Sequence, residues 1–222
     1  MEKQKLIRLT EVLGGAALFI FVGYGLYLGF FRGEKRFFDY VQEDGFVENL
    51  TAIFLFFCSF VCVYRVFEYR KEKRTTWIFT YALLAVLFFF AGGEEISWGQ
   101  RIFGVQSSEF FLEHNKQAET NLHNLIVGGK NLNRLIFAAP MFVILTIYFV
   151  FMRLLVAKVP FIHKLTEIFR VPLPRNHHIL LIIIVTAMIL SLKMIKVSEL
   201  HELSFAMIFF LIFLNPLYTE GK

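Results

Sequence analysis

Cysteine is nearly absent: Cys58 and Cys62 are the two thiols in a chain of 222 residues. That number cannot build the disulfide framework of a small secreted domain. Both sit inside an apolar block, one helical turn apart, where a thiol packs as a small apolar side chain. The small residues of a cleavage site are also missing after the first apolar segment. The opening stretch MEKQKLIRLTEVLGGAALFIFVGYGLYLGFF therefore reads as a retained span rather than a removed leader. No nucleic-acid-binding motif is present, so no nucleic acid is expected as a partner. There is no HExxH metal signature and no clear internal repeat of the kind that marks many carriers.

What is abundant is apolar surface. Hydrophobic residues make up 57% of the chain, and 29 residues are Phe, where a soluble domain is about half apolar. The excess falls in long blocks, at approximately 12–31, 46–67, 76–93, 134–157, 178–195 and 200–218. Each block is near the length of about 17–25 residues that crosses a bilayer. The expected fold is an all-α polytopic helical bundle of about six transmembrane helices, one integral membrane domain over 1–222, since lipid-exposed backbone must satisfy its own hydrogen bonds. "KVSE" makes a tight link between the last two spans.

The formal net charge of +5 belongs mostly to segments between spans. Lys3, Lys5 and Arg8 precede the first span. Arg65, Arg70, Lys71, Lys73 and Arg74 surround the second link, and Lys158, Lys164, Arg170 and Arg175 the fourth. With six spans these fall on one side, which places both termini in the cytoplasm. Arg32, Lys35 and Arg36 run against that trend. In "FRVPLPRNHH", Pro172 and Pro174 stop a helix. The adjacent His177 and His178 point about 100° apart on a helix, an awkward geometry for a shared metal, and read as interfacial anchors.

This topology sends the polar residues to one face. "VQEDGFVEN" brings Glu43, Asp44 and Glu48 to the start of span two. "GGEEISWGQR" ends span three with Glu94, Glu95, Ser97, Trp98, Gln100 and Arg101. An extracytoplasmic polar loop at about 96–133 carries "EHNKQAETNLHN", with Asn115, Glu119, Asn121, His123 and Asn124. "SELHEL" starts span six with Glu199, His201 and Glu202. A charged carboxylate deep in a bilayer costs about 2.5–3.5 kcal/mol on insertion scales, and several together repel. A bound cation, shared protons or an arginine such as Arg101 would compensate. Asp44 and Glu48, Glu119 and His123, and Glu199 and Glu202 are each spaced to share a helical face. Carboxylate and imidazole sets on facing helices hold iron, manganese or zinc in other bundles. Gly92 and Gly93 would let another backbone approach.

The reading that follows is a metal-dependent intramembrane enzyme, hydrolase-like, acting on a lipid or amphipathic substrate at the outer face. Glu95, His123, Glu199 and Glu202 would hold a divalent metal ion (zinc, iron or manganese). Glu94 or Glu48 would act as general base, and Arg101 would hold a substrate phosphate or carboxylate. Ser97 lacks the neighbouring histidine a nucleophile needs. The alternatives are an ion, proton or small-molecule binding or transport protein, and a structural subunit of a membrane complex.

"GEEISWGQRIFG", "NKQAETNLHN" and "SELHEL" together resemble an uncharacterised family of multi-pass bacterial inner-membrane proteins, from "EDGFVENLTA" onward. The resemblance implies a bacterial inner-membrane location and no activity by itself. Its pattern falls on Glu43, Asp44, Glu48, Glu94, Glu95, Ser97, Trp98, Gln100, Arg101, Asn115, Gln117, Glu119, Asn121, His123, Asn124, Glu199 and Glu202. "EDGFVEN" is also loosely similar to the acidic segment of membrane hydrolases related to alkaline ceramidases. Those are helical bundles with a metal held by histidines, an acid and a serine. The chain departs from them in lacking their HxxxH motif and in having six expected spans rather than seven.

Overall fold

The computed structural model describes residues 2–132 and 139–219. The chain is mostly helical. Helix α1 (Glu2–Tyr27) runs on through a wide π turn (Leu28–Arg32) to Gly33, and is followed by a short helix α2 (Glu34–Val41). Helices α3 (Phe46–Lys71) and α4 (Thr75–Glu95) form the most extensive antiparallel pair. A 3-10 turn (Ser97–Gly99), α5 (Gln100–Phe103), α6 (Glu109–His114) and a minimal hairpin of β1 (Ile126–Val127) and β2 (Lys130–Asn131) make up the long loop. Then come α7 (Ala139–Thr146), a second π turn (Ile147–Phe151), α8 (Met152–Lys158), α9 (Pro160–Ile168), α10 (Asn176–Leu190) and α11 (Val197–Leu214). Residues 133–138, which include the start of the expected fourth span, lie outside the described residues.

Among the described residues, five helical stretches are long and apolar enough to cross a membrane: Glu2–Arg32, Glu34–Lys71, Thr75–Glu95, Pro140–Lys158 and Val197–Leu214. The fifth expected span is shorter than the apolar run 178–195 suggests. Helix α10 has 15 residues and ends at Leu190, where the chain turns through Lys193 and Lys196, both at positive φ. Leu192 and Met194 continue the apolar run in sequence, but they pack onto Gly29 of the first π turn instead of extending the helix.

Helix α11 is apolar on nearly every face and lies at the centre. Of its apolar window 61% is buried, against 11–28% for the other four candidate spans. It packs on α3, α10 and α1 through Leu200, Leu203, Met207, Ile208, Leu211 and Ile212. The surrounding helices turn apolar side chains outward as well, among them Ile20, Phe60, Phe79 and Leu87. Contiguous exposed apolar surface on this scale matches a lipid environment and not water.

The bundle has two polar ends. At one, Tyr218 Oη lies 3.1 Å from Tyr69 Oη and 2.7 Å from Tyr81 Oη, and the Arg170 guanidinium stacks over Trp77 and Tyr218. Arg175 Nε donates to the carbonyl of Asn215 there at 2.9 Å. At the other end Lys196 pairs with Glu43 at 3.0 Å, and α4 breaks into the loop that carries most of the polar side chains.

Candidate functional site

The site begins where α4 runs out. Gly93 is the last small residue, and the Trp98 ring lies on it so closely that a Cβ there would sit 2.8 Å from the indole. To reach that position the chain passes through positive φ at Ser97, Trp98 and Gly99. Two of these are non-glycine residues in a sparsely populated region, so the turn depends on its surroundings. Glu94 supplies part of them. It is buried and accepts from Trp98 Nε1 at 2.9 Å, from the Leu122 amide at 2.5 Å and from the His123 amide at 3.3 Å. One carboxylate thus ties the end of α4 to both the turn and the distal loop.

Residues 115–125 form a compact set of turns, not a helix, so Glu119 and His123 do not share a helical face. Asparagine side chains replace the helical hydrogen bonds, as Asn does where it competes with the backbone ladder. Asn115 Nδ2 donates to the carbonyl and side-chain oxygens of Asn121, both at 2.9 Å, while its Oδ1 accepts from the Gln117 amide at 2.8 Å. Asn121 Nδ2 donates to Ser97 Oγ at 2.8 Å, and Ser97 Oγ donates to Glu119 Oε2 at 2.6 Å. Gln100 Oε1 accepts from the Thr120 amide and from Ser107 Oγ. Asn124 Nδ2 donates to Gln117 at 2.8 Å and lies 3.0 Å from His123 Nε2. Arg101 closes the network by pairing with both Asp44 and Glu119. Ser97, Asn115, Glu119, Asn121 and Asn124 are all buried.

His123 stands at the edge of this network, with Nδ1 3.9 Å from Glu94 Oε2. Burial lowers its pKa from the ordinary 6.5, against the opposing pull of Glu94 and Glu43.

A second group of acids is poorer in partners. Glu48 of α3, Glu95 of α4 and Glu199 and Glu202 of α11 lie within electrostatic reach of one another, with Glu43 and Glu94 at the margin and the Lys196 ammonium offsetting part of the charge at Glu48 and Glu199. Glu48 caps its own helix by accepting from the Asp44 amide. Glu95, Glu199 and Glu202 have no hydrogen-bond or ion-pair partner among the described residues. An all-carboxylate set suits a hard cation of the magnesium, calcium or manganese type.

The residues singled out from sequence thus separate into two sets. Glu48, Glu95, Glu199 and Glu202 lie within electrostatic reach of one another, and all but Glu48 lack a hydrogen-bond partner among the described residues. Glu94, Arg101, Asp44, Ser97, Trp98, Gln100, Asn115, Glu119, Asn121 and Asn124 bond to one another and fold the loop. His123 sits beside Glu94 and apart from the α11 carboxylates. His201 faces Phe142 and Phe205 and not the acids.

At the opposite end of the bundle the structure joins residues that spacing kept apart. Glu11, His177 and His178 each offer a ligand atom within 4.8 Å of the others, and the group could hold a metal ion. Nε2 of both histidines reaches the same Glu11 oxygen, at 3.0 and 3.2 Å, and Asn215 donates to the other oxygen at 2.9 Å. The signal in the sequence was Glu11 itself, a carboxylate on the threshold of an apolar helix. His178 Nδ1 accepts from the Arg175 amide at 3.2 Å, which leaves Nε2 as the protonated nitrogen facing Glu11. A ligating imidazole normally donates through its second nitrogen, so metal binding here requires that bond to break. As arranged, the group clamps α1, α10 and the end of α11.

Comparison with family models, with curated proteins and with solved structures returned no match.

Proposed function

We propose that the chain is a metal-dependent membrane enzyme of hydrolase type, spanning a bacterial inner membrane six times with both termini in the cytoplasm. It acts at the outer face on a lipid or amphipathic substrate. The observation that carries this reading is the electrostatic proximity of Glu48, Glu95, Glu199 and Glu202 on three packed helices, three of them with no donor among the described residues. Four carboxylates in such a place need compensating positive charge. Their chemistry fits a divalent cation, and of zinc, iron and manganese the oxygen-only set favours manganese. Held by these carboxylates, such an ion would supply Lewis-acid chemistry, polarising a substrate oxygen or acidifying bound water. His123, its backbone held by Glu94, would be the group that takes up a proton. Arg101 and Glu94 leave the catalytic list, because both are committed to folding the loop.

The alternative favoured by the same all-oxygen set is proton or cation binding for transport. Elemental analysis of the purified protein separates the two. The enzyme reading expects about one equivalent of divalent metal, lost in Glu95→Gln and Glu202→Gln with the fold intact. Absence of metal, together with a cation current in proteoliposomes that Glu95→Gln abolishes, would overturn it in favour of transport.

A further inference from the structure

A cleft of about 1050 Å³ opens between α1, α8, α10 and the end of α11, far from the acidic end. It lies just above the range of about 300–1,000 Å³ typical of small-molecule sites. Its polarity is graded along α1. The mouth holds Arg8, Arg153, Arg175 and Asn176, and the inner part is lined by Val12, Ala16, Phe19 and Leu181. From Arg8 to Phe19 the helix rises by about 16 Å, at about 1.5 Å per residue. The groove thus runs from the polar end of the bundle into the depth occupied by acyl chains.

Among the described residues the charge at the mouth is not neutralised from within. Three arginines face one lining carboxylate, Glu11, and that carboxylate is engaged by His177, His178 and Asn215. Arg175 donates to the carbonyls of Asn215 and Pro216, and Arg153 to the Asn176 side chain. Each keeps further N–H groups of its five-donor fork for another acceptor. Arg8 is exposed. Clustered guanidinium groups are suited to phosphate oxygens, which they bind bidentately.

We infer that this cleft is a binding site for an anionic phospholipid, with its phosphate among Arg8, Arg153 and Arg175 and an acyl chain along Val12, Ala16 and Phe19. The apolar floor continuous with the arginine mouth argues for a lipid over a free anion, which would use the mouth alone. The clamp of Glu11 on both histidines shapes the wall and keeps Arg175 in place.

The test is native mass spectrometry of the full chain released from mixed micelles of phosphatidylglycerol and phosphatidylcholine with identical acyl chains. The expected result is preferential retention of one phosphatidylglycerol. Arg8→Gln/Arg153→Gln should reduce that preference by about thirtyfold, given about 1 kcal/mol for each basic side chain at an anionic surface. Ala16→Trp removes no polar contact and should displace the lipid by filling the acyl groove. Inorganic phosphate in millimolar excess should not compete. Equal retention of the two lipids, insensitivity to both variants, or displacement by inorganic phosphate would overturn the proposal, the last by showing a soluble-anion site.

Discussion

Glu94 and Glu95 are adjacent in sequence and opposite in circumstance. Glu94 accepts from an indole and two backbone amides, whereas Glu95 faces other carboxylates and has no donor among the described residues. Removing Glu94 leaves part-buried N–H groups unpaired, at up to about 1–3 kcal/mol. Glu94→Ala should therefore lower the unfolding temperature, raise amide exchange at Leu122 and His123, and shift the Trp98 emission to the red. The same effects are expected in metal-free protein, because the role is structural. An unchanged unfolding temperature and exchange pattern would return Glu94 to the list of free acids. His123 gives the residue scale its pH dependence. Its folded pKa lies below the unfolded value of 6.5 because burial disfavours the charged form. As pH falls below 6.5 the unfolded state takes up a proton that the folded state refuses, so this contribution to stability is complete above 6.5 and is lost as pH drops toward the folded value. Equilibrium unfolding of the loop followed across that range should be less pH-dependent in His123→Gln; an identical slope would place the titration elsewhere.

At the scale of elements, the turn after α4 works because Gly93 leaves room for Trp98. Gly93→Val puts side-chain atoms where the indole lies, since a Cβ alone would approach it to 2.8 Å. The ring has to move, and with it the donor to Glu94. The expected cost is about 1–3 kcal/mol, as for other overpacked sites, measured as a lower melting temperature together with a change in Trp98 fluorescence. Loss of stability without a fluorescence change would point to a different contact. The glycine pair and the acids around it were legible in the sequence, because apolar helices rarely end in such a group. The use made of the acids was not. Spacing of four means a shared face only on a helix, and the segment holding Glu119 and His123 is built from Asn side chains that bond the backbone in turns. Apolar run length failed at α10 for a related reason: Leu192 and Met194 read as more helix, yet their burial is satisfied against Gly29 after the chain has turned. Composition reports that a residue is buried, and not which element buries it. The Glu11 clamp escaped notice because its members are about 166 residues apart, and no local pattern connects them.

The whole molecule is organised by the opposition of its ends, and this bears on whether α10 counts as a crossing. At 15 residues it is about 22 Å long, less than the hydrocarbon thickness of about 30 Å. Its neighbours nonetheless show where it begins and ends. Arg175, just before it, bonds carbonyls after the end of α11, and Leu192, just after it, touches Gly29 near the start of α2. The flanking segments, and not the helix alone, complete the passage from the basic end to the acidic end, and α11 returns. On the proposed topology this passage is the fifth of six crossings, with the arginine-rich end in the cytoplasm. The two native cysteines are fully buried, so introduced thiols can report sidedness with little background. Glu109, Lys193, Lys73 and Lys164 are exposed. Glu109→Cys and Lys193→Cys should react with an impermeant maleimide in right-side-out vesicles, and Lys73→Cys and Lys164→Cys only in inverted ones. If Lys193→Cys instead reacts with the second pair, α10 and α11 do not cross separately. The carboxylates of α11 would then lose their place opposite Glu95, and the proposed metal site would fall with the topology.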